Sequence, residues 1–244
     1  MFSDILRDIV DHTNGLGIFT SLKISSSVEG LKVYTIALDN SVMVEGKSLS
    51  PVDEFQGIFG VHDIKQFGNI LKLKEYKTDA NIYVDFGSRG GELVPEYAVF
   101  ENASGDFKNR FRLMTEIQVN RKLPEAESLA EIPFQIDFEP DSESITRFKA
   151  QSTLSNTVKT FIAYTEGGNV IFAFGDDSTC SGSLTFQKNV TGQLKVKRHY
   201  SSVNFASILA LKGSKTIHMN DEGIIKIKVL SDFMEYSYIM VATK

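Results

Sequence analysis

The chain has 244 residues, 42% of them apolar and 23% charged, which is ample for two globular cores of roughly 120 residues each. A formal charge of −5 excludes a protein that coats nucleic acid with its whole surface, but not one that meets a backbone with a single basic face. The single cysteine, Cys180, excludes an internal disulfide framework and fits a reducing compartment. No apolar run approaches the roughly 18–20 residues that span a bilayer, so no membrane is expected. The amino terminus alternates charged with apolar residues, unlike the apolar centre of a secretory signal, and a cytoplasmic location is expected.

Phe2, Ile5, Leu6 and Ile9 recur at helical spacing and predict a first helix ending near Asn14-Gly15. Its polar face carries Asp4, Asp8 and Asp11 against Arg7. Strands are expected at 17–24, 30–38, 42–49 and 53–59. Residues 61–74 predict a second helix, with Ile64, Phe67, Ile70 and Leu71 as its apolar stripe and Lys65, Asn69 and Lys72 on another side. Further strands are expected at 81–86, 96–101 and 107–116, with turns at 87–91 and 103–105. Residues 119–131 contain a proline and no sustained period, and read as a linker.

The second half restarts with an expected strand at 132–138. Pro140-Asp141 opens a helix with Ile145, Phe148 and Ser152 inward. Strands are expected at 158–165, 169–175, 181–188 and 193–200, then a helix over 203–212 burying Phe205, Ile208 and Leu209. Strands at 216–219, 224–230 and 235–242 finish the chain. Each half thus reads helix, strands, helix, strands. The second helices end alike, Ile70-Leu-Lys-Leu-Lys74 and Ile208-Leu-Ala-Leu-Lys212. The expected architecture is α+β, a tandem pair of domains with alternating, antiparallel strands covered on one face by helices. The boundaries are 1–118, 119–131 for the linker and 132–244.

No catalytic motif survives inspection. Gly213-Ser-Lys-Thr216 echoes a phosphate loop, but Lys215 does not follow the glycine directly and position 208 is Ile. Residues 87–91 are glycine-rich but lie between strands. His12, His62, His199 and His218 show no metal-ligand spacing with Cys180. Neither a catalytic residue, a metal nor a cofactor is expected. The charge is uneven: Glu125, Glu127, Glu131, Asp137, Glu139, Asp141 and Glu143 stand without a basic residue among them, whereas 144–160 holds Arg147, Lys149 and Lys159 and no acid. Lys65, Lys72 and Lys74, then Arg147 and Lys149, then Lys195, Lys197 and Arg198 form three basic sets, as phosphate contact without base reading requires.

At the level of element order the whole chain resembles a DNA polymerase sliding clamp, most similar to those of T4-like bacteriophages. The resemblance is carried by Leu38-Asp-Asn-Ser-Val-Met-Val44, by 48–74, by 178–188 and by the closing Tyr236-Ser-Tyr-Ile-Met-Val-Ala-Thr-Lys244. It implies a homotrimeric ring of two clamp domains per subunit, with helices lining a central hole and sheets outside. The ring would encircle double-stranded DNA without sequence specificity, bind a DNA polymerase and an ATP-driven clamp loader, and raise processivity without chemistry. Under it, Lys65, Lys72, Lys74, Arg147, Lys149 and Lys212 face DNA. Leu38, Val42, Val44, Ile239 and Ala242 line a partner-peptide pocket beneath Leu123 and Leu129. Phe107, Arg110, Phe111, Leu184 and Phe186 sit on the edge strands that meet across the subunit boundary. It also implies replication in an infected bacterial cytoplasm and a role in activating late transcription. The acidic first helix departs from the family, whose first helix adds positive charge to the hole. A different class of reading is an oligomeric phage structural or adaptor protein of tandem β-rich domains; another is an inactive domain pair that regulates a polymerase as a monomer.

Overall fold

The computed structural model describes residues 2–52, 57–123, 132–154, 158–176 and 180–243. Two compact units divide the chain. The first comprises Met1–Leu38, Val44–Glu127 and Ser231–Tyr236; the second comprises Asp39–Met43, Ser128–Leu230 and Ser237–Lys244.

In the first unit, α1 (Phe2–Thr13) buries Phe2, Ile5, Leu6, Ile9 and Val10 along one stripe, as their three- and four-residue steps dictate. A 3-10 turn at Asn14–Leu16 ends it, closed by Gly17 at φ 69°. That turn displaces the strand expected from 17, and β1 (Leu22–Ser27) begins only where Leu22 pairs with Val61. With β2 (Gly30–Ile36), β3 (Val42–Ser48) and β4 (Gly57–Val61) it gives the strand order β4-β1-β2-β3. Of the strand expected at 53–59, residues 53–56 lie outside the described residues.

The second helix, α2, is shorter than expected, spanning Ile64–Leu71 rather than 61–74. Val61 still belongs to β4, and the Asp63 side chain accepts from the Gln66 N–H at 2.8 Å, fixing the start. Ile64, Phe67 and Leu71 are buried, each contributing about 1.5–3 kcal/mol. Phe67 meets Phe100 and Phe111 edge-on at 5.5 and 5.2 Å. The next strands, β5 (Asn81–Arg89) and β6 (Glu92–Glu101), outrun their expected lengths and leave a Gly90-Gly91 turn with φ 63° and 89°. With β7 (Lys108–Arg112) they form the sheet β5-β6-β7.

Where a strand and a linker are expected, the chain forms α3 (Glu116–Lys122). Thr115 and Gln118 make a capping box at its start. Met114 and Gly60 exchange backbone hydrogen bonds at 2.7 and 3.0 Å. A Cβ on Gly60 would stand 2.6 Å from Met114 and 2.7 Å from Val119, so this approach needs glycine. Of the expected linker, 119–122 is therefore helical, and 124–131 lies outside the described residues.

In the second unit, β8 (Ile136–Phe138) is shorter than the strand expected from 132. The next helix, α4 (Ser142–Leu154), starts where Asp141 accepts from the Ser144 N–H at 2.6 Å. Its inner side is Ser144 and Phe148, with Ile145 and Ser152 only half-buried. There follow β9 (Thr160–Glu166), β10 (Asn169–Asp176), β11 (Cys180–Gln187), β12 (Arg198–Ser201), α5 (Ser202–Leu209), β13 (Ser214–Met219), β14 (Ile224–Leu230) and β15 (Met234–Val241). The strand expected at 193–200 starts only at Arg198, leaving Lys195 and Lys197 before it. One sheet runs β11-β10-β9-β12, matching β3-β2-β1-β4 of the first unit; the other strands run β15-β14-β13-β8. The core between α4, α5 and the first of these sheets is aromatic. Phe148 lies 4.9 Å from Phe205 and 5.1 Å from Phe161, and Phe172 stacks on Phe186 at 4.5 Å.

Candidate nucleic-acid interface

In the first unit, the stripe that buries Ile64, Phe67 and Leu71 turns Lys65, Asn69 and Lys72 to solvent. Lys65 lies in the first turn of α2, and Lys72 is its C-cap. Lys74 falls beyond the helix in a 3-10 turn, 3.9 Å from the Glu75 carboxylate. Neither Lys65 nor Lys72 has an ion-pair partner among the described residues.

The acidic polar face expected of α1 is smaller than its sequence implies. Asp11 is exposed, and Asp4 pairs with Arg7 at 3.2 Å. Asp8 instead turns inward, accepting from Ser231 Oγ and Tyr236 Oη, each at 2.8 Å. His12 donates from Nδ1 to the Asp8 carbonyl at 2.8 Å, lies 3.3 Å from the Asp8 carboxylate and stacks on Tyr236 at 4.5 Å. Burial works against the charge on Asp8, but the hydrogen bonds from His12 and Ser231, the charge of His12 and the Tyr236 bond outweigh it and hold the carboxyl below its ordinary value. Nothing in the local sequence marks this cluster, because Asp8 stands more than 220 residues from Ser231 and Tyr236.

In the second unit, Arg147 and Lys149 lie on the exposed side of α4, and Arg147 is paired with Glu143 at 2.5 Å. Lys212 is exposed but follows the end of α5. Lys215, the lysine of the apparent phosphate loop, donates from Nζ to the carbonyls of Leu211 and Gly213 at 2.6 and 2.8 Å. It ties down the turn that follows α5. Burial lowers its pKa, and the charge of Lys149 lowers it further.

The residues expected at the subunit boundary divide between surface and core. Among the described strands, β7 has only β6 as a neighbour and β11 only β10, so each is a sheet edge. Phe107 and Arg110 are exposed and Leu184 is half-buried, whereas Phe111 and Phe186 belong to the cores of their own units. Arg110 pairs with Asp85 at 2.8 Å and lies over the Tyr97 ring. Of the expected pocket residues, Leu38 is 80% exposed, Val42 and Val44 are fully buried, Ile239 is buried and Ala242 is half-buried. Leu123 is buried, and Leu129 lies outside the described residues. Among the described residues no group of three or more His, Cys, Asp or Glu could hold a metal ion. No helix there is long and apolar enough to cross a membrane.

Two units of helix, four strands, helix and further strands, with matching strand order, make this an α+β fold of tandem clamp-type domains. The crystal structure of PCNA from Thermococcus kodakaraensis matches with a TM-score of 0.68 at 17% identity, covering 99% of this chain and 97% of that one. A. fulgidus PCNA, with the C-terminal region of FEN-1 bound, matches with a TM-score of 0.69 at 15% identity, covering 99% and 96%. Proliferating cellular nuclear antigen from Entamoeba histolytica gives 0.70 at 11% identity, covering 99% and 96%. Neither a protein-family model nor a curated protein matches the sequence.

Proposed function

We propose that this protein is a DNA polymerase sliding clamp. Three copies close head to tail into a ring around duplex DNA, and the ring tethers a polymerase to its template. It performs no chemistry, and a separate ATP-driven loader opens it. The observation that carries this reading is the likeness in fold to PCNA over 99% of the chain. Free edges at β7 and β11, one in each unit, support a heterologous contact that closes by rotation. On α2, Lys65 and Lys72 meet phosphates, joined on α4 by Lys149 and by Arg147 once it leaves Glu143. Lysine suits a sliding contact, since its charge rides on a flexible stem and demands no fixed geometry.

A peptide-binding role for Leu38 in the first unit, and for Ile239 and Ala242 in the second, follows the same reading, and A. fulgidus PCNA carries the C-terminal region of FEN-1. Leu38 is the residue to alter, because Val42 and Val44 are core. The domain limits 1–118 and 132–244 rest on sequence pattern, and kinship with the clamps of T4-like phages, late-transcription activation and a place in the infected bacterial cytoplasm rest on the resemblance alone. The test is solution mass followed by synthesis on primed circular DNA. A trimer that lengthens the products of its cognate polymerase is expected. A hexamer or filament that leaves product length unchanged would favour the structural or adaptor reading, and a monomer the reading as a polymerase-regulating domain pair.

A further inference from the structure

In the second unit, the segment 193–197 runs into β12 without joining a strand, yet it is firmly held. Leu194 is buried, its N–H donating to Thr165 Oγ1 at 2.9 Å. The Asp221 carboxylate accepts from the N–H groups of Lys195 and Val196 at 2.7 and 3.0 Å, and the Asp221 carbonyl accepts from Arg198 Nε at 3.2 Å. Lys195, Lys197 and Arg198 are all exposed. Lys197 holds its ammonium 4.3 Å from the centre of the Tyr164 ring. Tyr164 alternates along β9 with the buried Phe161 and Ala163, so it lies on the sheet face opposite Phe148 and Phe205.

Like Lys65 and Lys72 of α2, and unlike the paired cations of β7, α4 and α1, the charges on this ridge have no acidic partner among the described residues. Lys108, Arg110 and Arg112 face Glu101, Asp85 and Glu96, Arg147 faces Glu143, and Arg7 faces Asp4. Lys195, Lys197 and Arg198 form no side-chain ion pair among the described residues, and neither Glu222 beside Asp221 nor Glu166 at the end of β9 supplies one. Asp221 directs its carboxylate at backbone N–H groups, which fixes the ridge.

We propose that this ridge is a second phosphate-backbone contact surface, one that holds nucleic acid on the sheet side of the second unit, apart from the contact assigned to the helices. Charge complementarity argues for a polyanion. The one apolar side chain exposed on the ridge is Val196, too small an anchor for a peptide, whose affinity concentrates in a few buried apolar or aromatic groups. A phosphate backbone needs no anchor, because cations and released counterions supply the affinity. The surface stands whether or not the chain forms a ring.

The test uses the full chain, a short labelled single-stranded oligonucleotide and a polyglutamate peptide, with affinity measured across a salt series. Lys195→Glu with Lys197→Glu is compared with Lys195→Gln with Lys197→Gln and, separately, with Lys65→Glu and Lys72→Glu. The charge reversal should weaken oligonucleotide binding roughly tenfold at low salt, the neutral pair less, and each lost phosphate contact should reduce the salt slope by about 0.7. Unchanged circular dichroism and melting would place the loss in the contact. Ridge variants that bind the oligonucleotide like the wild type overturn the proposal, whatever the α2 variant does. So does a ridge-dependent preference for polyglutamate, which would assign the surface to an acidic protein segment. Loss in the ridge variants with none in the α2 variant would support the ridge and count against the helices as the DNA-facing side.

Discussion

In the second unit, helix and sheet meet through phenylalanine. Phe148 of α4 has Phe161, Phe172, Phe174, Phe186 and Phe205 within ring-contact distance. In the first unit, the corresponding order of strands is held differently. Among the described residues Phe67 meets the rings of Phe100 and Phe111, and α1 adds the polar cluster of Asp8, His12, Ser231 and Tyr236. The same topology therefore tolerates an apolar core that depends on close packing and a mixed one that depends on satisfied hydrogen bonds. The helices of both units leave cations at their surfaces, but among the described residues Lys65 and Lys72 have no ion-pair partner while Arg147 is paired. If the comparison is sound, the two units should fail in different ways.

The largest effect is expected in the aromatic core. Phe148→Ala should destabilise the protein by about 3–5 kcal/mol, since the lost contacts leave a cavity among rigid rings. Phe67→Ala should fall at the lower end of that range. Calorimetry of both variants would check this, and an equal loss would remove the contrast between the cores.

Next comes Asp8→Ala, which removes the carboxylate that accepts from Ser231 Oγ and Tyr236 Oη and that faces His12, and should cost about 1–3 kcal/mol. Its pH dependence follows from the lowered pKa of Asp8. The folded value lies below the unfolded one, so the contribution is fully present above the ordinary value of 3.8 and fades as pH falls through the folded value. Urea midpoints at several pH values should show wild type and variant converging in acid. A constant difference down to the lowest pH would mean that the carboxylate charge is not what holds the cluster.

These cores also mark where the sequence was legible. Helical stripes identified α1, α2 and α5, because burial and period coincide there. Element ends were harder. Asp63 capping shortens α2, and the 3-10 turn closed by Gly17 delays β1. The start of α3 is legible in Thr115-Glu-Ile-Gln118, a capping-box pattern, but the proline and acids that follow dominate the composition and favour a linker. Lys195 and Lys197 stood out in the sequence, but the Asp221 bonds that take them out of a strand are long-range. Asp8 looked like surface charge because its partners lie at the other end of the chain.

Smaller effects sharpen the comparison at the surface. Thr115→Ala removes the capping box of α3 and should cost about 1 kcal/mol, seen as a lower melting temperature with two-state behaviour retained. Lys65→Glu with Lys72→Glu should change stability by no more than about 0.5 kcal/mol, since both residues are exposed and have no ion-pair partner among the described residues. The same pair should lower loading onto DNA, with a greater loss at low salt, where phosphate contacts count most. A drop in melting temperature like that of Asp8→Ala would mean that these lysines serve the fold.

Encirclement is the central claim, and retention on circular DNA tests it most directly. The protein is loaded by its cognate loader onto nicked circular DNA, freed of the loader, and the circle is then cut at one site. The account predicts that the protein stays on closed circles through a high-salt wash and leaves once the DNA is linear, because topology and not affinity holds it. Equal release from circles and from linear DNA would contradict it.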